Sequence, residues 1–293
     1  MTSLLNKIVI GTAQFGLDYG INNKSGKVSK DEVYKILDLL KESGIEFIDT
    51  AQAYGDSEFV LGGYLKERNI SFQIVSKLQN CIHEEVGIKV QESLERLHIK
   101  SLYGILLHSF DTHLKNPLTY KKLSSLKETG IDNKVGFSLY FPNQLTKILE
   151  DNIEVDIVQI PYNLFDRRFE KYLPMLKERD IEIHVRSVFL QGLFFMKPKD
   201  LLPNLQEFSR YISLLEKLSL ELKISIHELA LLFVISNQLI DKAVVGIDNV
   251  NHLKDIINVL NDNNKFELVS SQKHTFSKLE VENEAILIPS NWN

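Results

Sequence analysis

What this sequence has little of narrows its function before any motif is read. It holds one cysteine, Cys81, so no internal disulfide can form, and a lone cysteine beside apolar neighbours reads as a small packing residue. No block of lysine or arginine interrupts a formal net charge of −5, which leaves no field to gather nucleic acid or an anionic membrane. No apolar run approaches the roughly 20 residues of a membrane span. The one near the start, Ile8 to Ile10, is too short for a secretory signal. Linkers rich in Pro, Gly or Ser, low-complexity tracts and sequence repeats are also missing. Together these absences predict a cytoplasmic protein that binds neither nucleic acid nor membrane, and since no segment announces an oligomer interface, monomer and homodimer both stay open.

What is present is 293 residues, 44% apolar and 25% charged, enough to bury a large core. Short β-branched runs alternate with longer amphipathic stretches along the whole chain, the rhythm of a parallel sheet. Strands are predicted at residues 7–13, 47–51, 73–77, 103–108, 135–139, 157–162, 182–188 and 243–247. Apolar residues recurring every three or four positions predict helices at 30–43, 84–97, 120–129, 143–151, 169–179, 227–236 and 250–260. Ser29 and Ser225 are predicted N-caps, and Gly44 and Gly130 predicted left-handed C-caps. Eight such units with no linker predict an α/β protein, a closed (β/α)8 TIM barrel forming a single domain over 1–293. Residues 200–222 insert an extra helix into the seventh crossover, and 261–293 form a C-terminal tail.

A barrel of this kind builds its site at the C-terminal ends of its strands. Four polar residues stand there: Asp49 and Tyr54 in FIDTAQAYGDSE, Lys77 in IVSKL and His108 in ILLHS. Each has a plain alternative role. Asp49 can cap a turn, Lys77 can pair with any acid, His108 can be a satisfied core residue and Tyr54 can simply pack. Their common place at three consecutive strand ends favours chemistry instead. A carbonyl that accepts hydride must also receive a proton. An ammonium beside a phenol favours its ionisation, a carboxylate keeps that ammonium charged, and a histidine can orient the carbonyl oxygen.

With these residues the chain resembles an aldo-keto reductase, and FIDTAxxYG is the most specific match. The resemblance implies reduction of an aldehyde or ketone by a nicotinamide cofactor. Tyr54 is then the general acid, Lys77 lowers its pKa, Asp49 supports Lys77, and His108 positions substrate. Gly11, Thr12 and Asp49 approach the nicotinamide, and Ser138 and Gln159 hold its carboxamide. Gly246, Ile247 and Asp248 lead into a helix near Val250 that serves the pyrophosphate and adenosine ribose, with His252 beside it. The chain departs from the family at Leu139, where many members have Asn, and at Arg186, where an aromatic ring commonly stacks on the nicotinamide. A guanidinium can also stack on rings, and its charge would favour the reduced cofactor.

The resemblance implies NADP (NADPH) slightly ahead of NAD, with no metal. Asp248, however, would repel a 2′-phosphate and suits a free 2′-hydroxyl. The predicted substrate contacts are Tyr19, Tyr54, His108, Tyr140 and Phe189, around a carbonyl that is sugar-derived by analogy. Arg167 and Arg168 either bind an acidic substrate or pair with a helix acid such as Glu170. Trp292, at the end of the tail, either closes the pocket or packs on the barrel floor. Three alternatives stand beside this reading: a non-catalytic nicotinamide sensor on the same fold, a Schiff-base lyase using Lys77, and a metal-dependent hydrolase using His108 and His113.

Overall fold

Eight short strands pair in parallel and in chain order, and the last returns to the first. They are β1 (Ile8–Gly11), β2 (Phe47–Asp49), β3 (Gln73–Leu78), β4 (Gly104–Leu107), β5 (Val135–Ser138), β6 (Ile157–Pro161), β7 (Glu182–Arg186) and β8 (Lys242–Gly246). This computed structural model describes residues 4–131 and 133–292. The predicted closed barrel is therefore the observed one. Several strands stop short of their predicted ends because the chain turns there. After β1 it enters a single helical turn at Ala13–Gly16, and after β7 Ser187 takes a left-handed φ of 62°.

The outer face of the barrel and the helices form one large apolar core, in which residues such as Ile10, Leu107, Ile160 and Val185 are fully buried. Burying each such side chain contributes about 1.5–3 kcal/mol. Inside the barrel a second, smaller cluster of Val75, Leu106 and Ile157 separates the mouth from the floor. Helices Lys30–Ser43 and Val250–Leu260 lie where the sequence period predicts them. Ser29 accepts from the Glu32 amide, Ser225 and Glu228 form a capping box, and Gly44 and Gly130 are left-handed C-caps.

Helix Ser57–Arg68 escaped the sequence reading, as did the shorter Phe110–Lys115 and the tail helix Asn263–Ser271. The buried side of the first includes Ser57, Glu58 and Gly62 beside Leu61, Tyr64 and Leu65, so no clean apolar stripe announces it. Gly62 is required by close approach, since a Cβ there would come 1.9 Å from the Arg96 carbonyl oxygen.

The seventh crossover carries the predicted insertion as 3-10 turns followed by helix Ser209–Leu222. The tail then crosses back over the loops that follow β6 and β7. The Val281 amide donates to the Phe165 carbonyl, and Arg168 pairs with Glu284. Trp292 is buried, its indole donating to the Ile286 carbonyl at 2.8 Å. It thus packs within the tail and leaves the barrel floor to the N-terminal turn Leu4–Lys7, whose Lys7 ammonium donates to the Ile235 and Asn237 carbonyls. Among the described residues no helix is long and apolar enough to cross a membrane.

Candidate active site

Strand register carries the predicted residues to one rim. Gly11 pairs with Asp49 and Gly246, Lys77 with Leu106, and Ser138 with Gln159. From there a buried chain of polar contacts runs across the mouth. The Lys77 ammonium touches Asp49 Oδ1, donates to the Thr50 carbonyl at 3.0 Å, and donates to the Tyr54 hydroxyl at 3.3 Å. Asp49 Oδ2 accepts from Gln159 Nε2 at 2.7 Å. Strands β2 and β6 are not neighbours, so this bond spans the barrel. Gln159 Oε1 in turn accepts from the Ser138 hydroxyl at 3.4 Å.

Tyr54 is not on a strand, and two glycines fix the turn that carries it. A Cβ on Gly16 would lie 1.8 Å from the Tyr54 carbonyl oxygen, and Gly55, at φ 58°, lies so close to the Gly16 backbone that a Cβ would meet its oxygen at 2.4 Å. Thr12 contributes to the same scaffold. Its hydroxyl donates to the Asp49 carbonyl at 3.1 Å and accepts from Ser57, which bonds Thr50. The Thr12 hydroxyl is therefore engaged in holding the ends of β1 and β2 together.

The electrostatics differ in one respect from the sequence expectation. Burial pushes the Tyr54 phenol well above its ordinary pKa, the Asp49 charge adds to this, and Arg186 opposes it. In the free protein, desolvation outweighs the pull of nearby cations, so Tyr54 holds its proton firmly. Burial lowers the pKa of Lys77 while Asp49 raises it. His108 packs edge-on against Tyr54 with ring centroids 5.7 Å apart. Burial, then the charges of Lys77 and Arg186, pull its pKa to about 3, so it is a neutral imidazole at physiological pH.

The outer contacts are brought together only in part. Tyr19 reaches the site: its hydroxyl accepts from Gln191 at 3.0 Å, and burial followed by the influence of Tyr54 pushes its pKa up to about 12. Tyr140 lies under the Arg186 guanidinium, 4.1 Å from ring centroid to carbon. The ring partners of Phe189 are instead His227 and Phe195. His113 sits in an aromatic box of Phe110, Tyr120 and Phe137. Arg168 pairs with Asp166 and Glu284 within the scaffold, whereas Arg167 lies over the Phe233 ring, 3.7 Å from Glu170, with a buried Nε that makes no hydrogen bond.

At the far end, β8 leads through buried Ile247 and half-buried Asp248 to helix Val250–Leu260. Sequence reasoning missed what sits on its N-terminus. Glu32, 218 positions earlier, accepts from the Val250 amide at 2.8 Å, and Asn249 accepts from the Asn251 and His252 amides at 3.0 Å each. His252 lies 3.7 Å from Asp248. Ser29 signalled a helix start, but nothing local showed Glu32, three residues on, reaching a second helix.

A parallel eight-stranded barrel whose mouth joins Asp, Tyr, Lys and His is matched by sequence. Residues 7–276 fit the profile of the aldo/keto reductase family. The chain belongs to that family. It is 25% identical over 297 residues to an uncharacterized oxidoreductase of Bacillus subtilis, YqkF, spanning 92% of this chain and 97% of that one. Oxidoreductase sirO of Leptosphaeria maculans is 28% identical over 200 residues, 64% of this chain and 60% of that one. Among solved structures, an aldo-keto reductase from Bacillus halodurans in holo form has a TM-score of 0.75 at 19% identity, over 98% of this chain and 95% of that one. A glycerol dehydrogenase from Gluconobacter oxydans has a TM-score of 0.70 at 21% identity, with 90% of each chain covered. Both share the fold. This aldo-keto reductase is thus an enzyme of a family that acts on small carbonyl substrates with nicotinamide cofactors.

Proposed function

We propose that this aldo-keto reductase reduces an aldehyde or ketone, with Tyr54 as the proton donor. The observation that carries the reading is the 3.3 Å contact from the Lys77 ammonium to the Tyr54 hydroxyl, made while Asp49 and the Thr50 carbonyl anchor that ammonium. Because the phenol accepts this bond, its own proton is free to pass to a substrate oxygen. As it leaves, the growing phenolate is met by a fixed positive charge, an arrangement that costs no reorganisation during the reaction. Neutral His108, beside the same ring, donates one N–H to the carbonyl oxygen and orients it.

The residues present suit a nicotinamide. Gln159 uses one amide N–H on Asp49 and its oxygen on Ser138, leaving one N–H and the Ser138 oxygen lone pairs for a carboxamide, which offers one acceptor and a donor. When bound, the reduced ring supplies hydride to the carbonyl carbon. At the adenosine end the fit is to NAD rather than the NADP suggested by resemblance. The amides at the start of helix Val250–Leu260 are occupied by Asn249 and by the Glu32 carboxylate, with Asp248 nearby. A 2′-phosphate would meet acids where it needs donors. Tyr19 and Tyr140 beside the reacting groups suit the apolar faces of a sugar-derived carbonyl.

Incubating the purified protein with NADH and 4-nitrobenzaldehyde, with loss of reduced-cofactor absorbance as readout, tests this directly. Turnover faster with NADH than NADPH is expected. No turnover across aldehydes and ketones with either cofactor, although cofactor binds, would favour a nicotinamide-sensing role.

A further inference from the structure

At the floor of the barrel, where the strands begin, a cavity of about 750 Å³ is lined by four lysines and four carboxylates among the described residues. Three of the carboxylates are committed. Asp241 accepts from the Lys177 ammonium and the Ile183 amide, each at 2.8 Å, and Asp156 from Lys127 and the Val135 amide at 2.7 and 2.9 Å. Glu182 holds Lys134, Tyr103 and His184. Two lysines remain. Lys7 donates to the Ile235 and Asn237 carbonyls at 3.2 and 2.9 Å. Lys242 donates to the Asn6 carbonyl at 2.6 Å and lies 3.5 Å from the centre of the Phe47 ring. Neither forms an ion pair among the described residues. An ammonium has three N–H donors, so these bonds leave one on Lys7 and two on Lys242.

The fold brings these two cations to one wall. Ile8 of β1 pairs with Ala243 of β8, so Lys7 and Lys242, one residue before each, enter the barrel side by side. The bond from Lys242 to Asn6 ties its ammonium to the turn that carries Lys7. Both are half-buried, and what meets them directly is carbonyl oxygen and an aromatic face, which carry only partial charge. Burial draws both ammoniums below their ordinary pKa, opposed by Asp241 for Lys7 and by Glu182 and then Asp241 for Lys242. Two like charges are thus held together in advance, short of counter-charge, with N–H groups to spare and a cavity in front of them.

We propose that Lys7 and Lys242 form an anion site at the barrel floor, apart from the reacting mouth, that binds a phosphomonoester carrying hydroxyl groups. A phosphomonoester brings nearly two negative charges and three acceptor oxygens, enough to serve both ammoniums at once, whereas a single carboxylate brings one charge. The cavity is of the size that holds small molecules, roughly 300–1,000 Å³. Asp180, exposed at its rim and in no ion pair among the described residues, accepts from a hydroxyl and repels a second phosphate. The mouth is not involved: the site stands whether or not the protein reduces carbonyls.

The test titrates the protein calorimetrically with glycerol 3-phosphate, which has no carbonyl to be reduced, and with inorganic phosphate and glycerol. NADH is present throughout so that the cofactor's own phosphates compete at the mouth. Wild type is compared with Lys7→Met, Lys242→Met and, as a control on an outer helix, Lys147→Met, with thermal melting to confirm folding. Glycerol 3-phosphate should bind wild type and the control alike, and each floor variant about tenfold to a hundredfold more weakly, the range of a hydrogen bond between charged groups. Glycerol should not bind, and inorganic phosphate should bind more weakly than the ester; equal binding of the two would assign the same site to free phosphate. Should a floor variant fail to fold, trace acetylation of wild-type lysines read by peptide mass spectrometry replaces it. Glycerol 3-phosphate should then protect Lys7 and Lys242 and leave Lys147 unprotected. No binding of either phosphate to wild type overturns the proposal, as does binding that both floor variants keep, or labelling of Lys7 and Lys242 that the ester does not change.

Discussion

The two ends of this barrel carry the same four kinds of side chain, wired differently. At the mouth stand Asp49, Lys77, Tyr54 and His108; at the floor stand Glu182, Lys134, Tyr103 and His184. On the floor the carboxylate is a hub. Glu182 accepts from the Tyr103 hydroxyl at 2.7 Å, meets His184 Nε2 at 2.7 Å, and contacts the Lys134 ammonium. Despite partial burial, these bonds hold its pKa down to about 2. The phenol proton there is already committed to a hydrogen bond. At the mouth Asp49 is divided between Lys77 and Gln159, and Tyr54 receives a bond from Lys77 while keeping its own proton. The two clusters thus share residue types and differ in the direction of the hydrogen bond made by the phenol. A cavity of about 750 Å³ opens beside Lys134, Glu182 and Lys242 at the floor.

Substitutions that separate the two clusters sharpen this contrast. The largest effect is expected from Lys77→Met, which removes the partner of Tyr54 and strands a buried Asp49. Steady-state turnover should fall about a hundredfold or more, and the melting temperature should drop as well. Lys134→Met should leave turnover near wild type. Its stability loss should be about 1 kcal/mol or less, because that lysine is about one-third exposed and its pair is screened. Comparable turnover losses in the two variants would erase the distinction.

The pH dependence is next in size. With His108 drawn down to about 3 and Tyr54 held protonated, kcat/KM for reduction should be flat through the ordinary histidine range. A limb near pH 6.5, where a free histidine titrates, would show that His108 is charged in the working enzyme. Acid stability should report the floor instead. The pKa of Glu182 is lower in the folded than in the unfolded chain, so its contribution is complete above about 4.5 and is lost as pH falls toward 2. Glu182→Gln should be less stable at neutral pH and lose less further stability in that acid window, as read by denaturant midpoints. The smallest effect belongs to the cofactor end. Glu32→Gln should tighten NADPH relative to NADH about two- to fivefold, the scale of one charge at a helix N-terminus. A fluorescence titration showing no relative change would remove Glu32 from cofactor choice.

The sequence revealed what depends on local period or on a contiguous motif. Alternation gave the strands, serines and glycines gave several caps, and the FIDTAxxYG stretch with two following strand ends gave the gathering of Asp49, Tyr54, Lys77 and His108 at the mouth. What it concealed depends on pairs far apart in the chain. Glu32 caps a helix 218 residues away, Arg168 meets Glu284 across 116 positions, and Gln159 reaches Asp49 across 110. The helix Ser57–Arg68 was hidden for a related reason: its buried side is matched to Ser76 and Arg96 of other elements through Glu58, so polarity there marks contact rather than exposure. The upward shift of the Tyr54 phenol was likewise illegible, because desolvation is a property of the folded mouth and not of neighbouring letters.

The most direct test of the central claim is to measure turnover and cofactor affinity side by side in Tyr54→Phe and Tyr103→Phe. The same hydroxyl is deleted from a phenol in each cluster. Tyr54→Phe should lose about 10²- to 10⁴-fold in kcat with NADH affinity largely intact, while Tyr103→Phe should keep its turnover and lose only stability. Near-wild-type turnover in Tyr54→Phe, or equal loss in both, would contradict the assignment of proton transfer to the mouth.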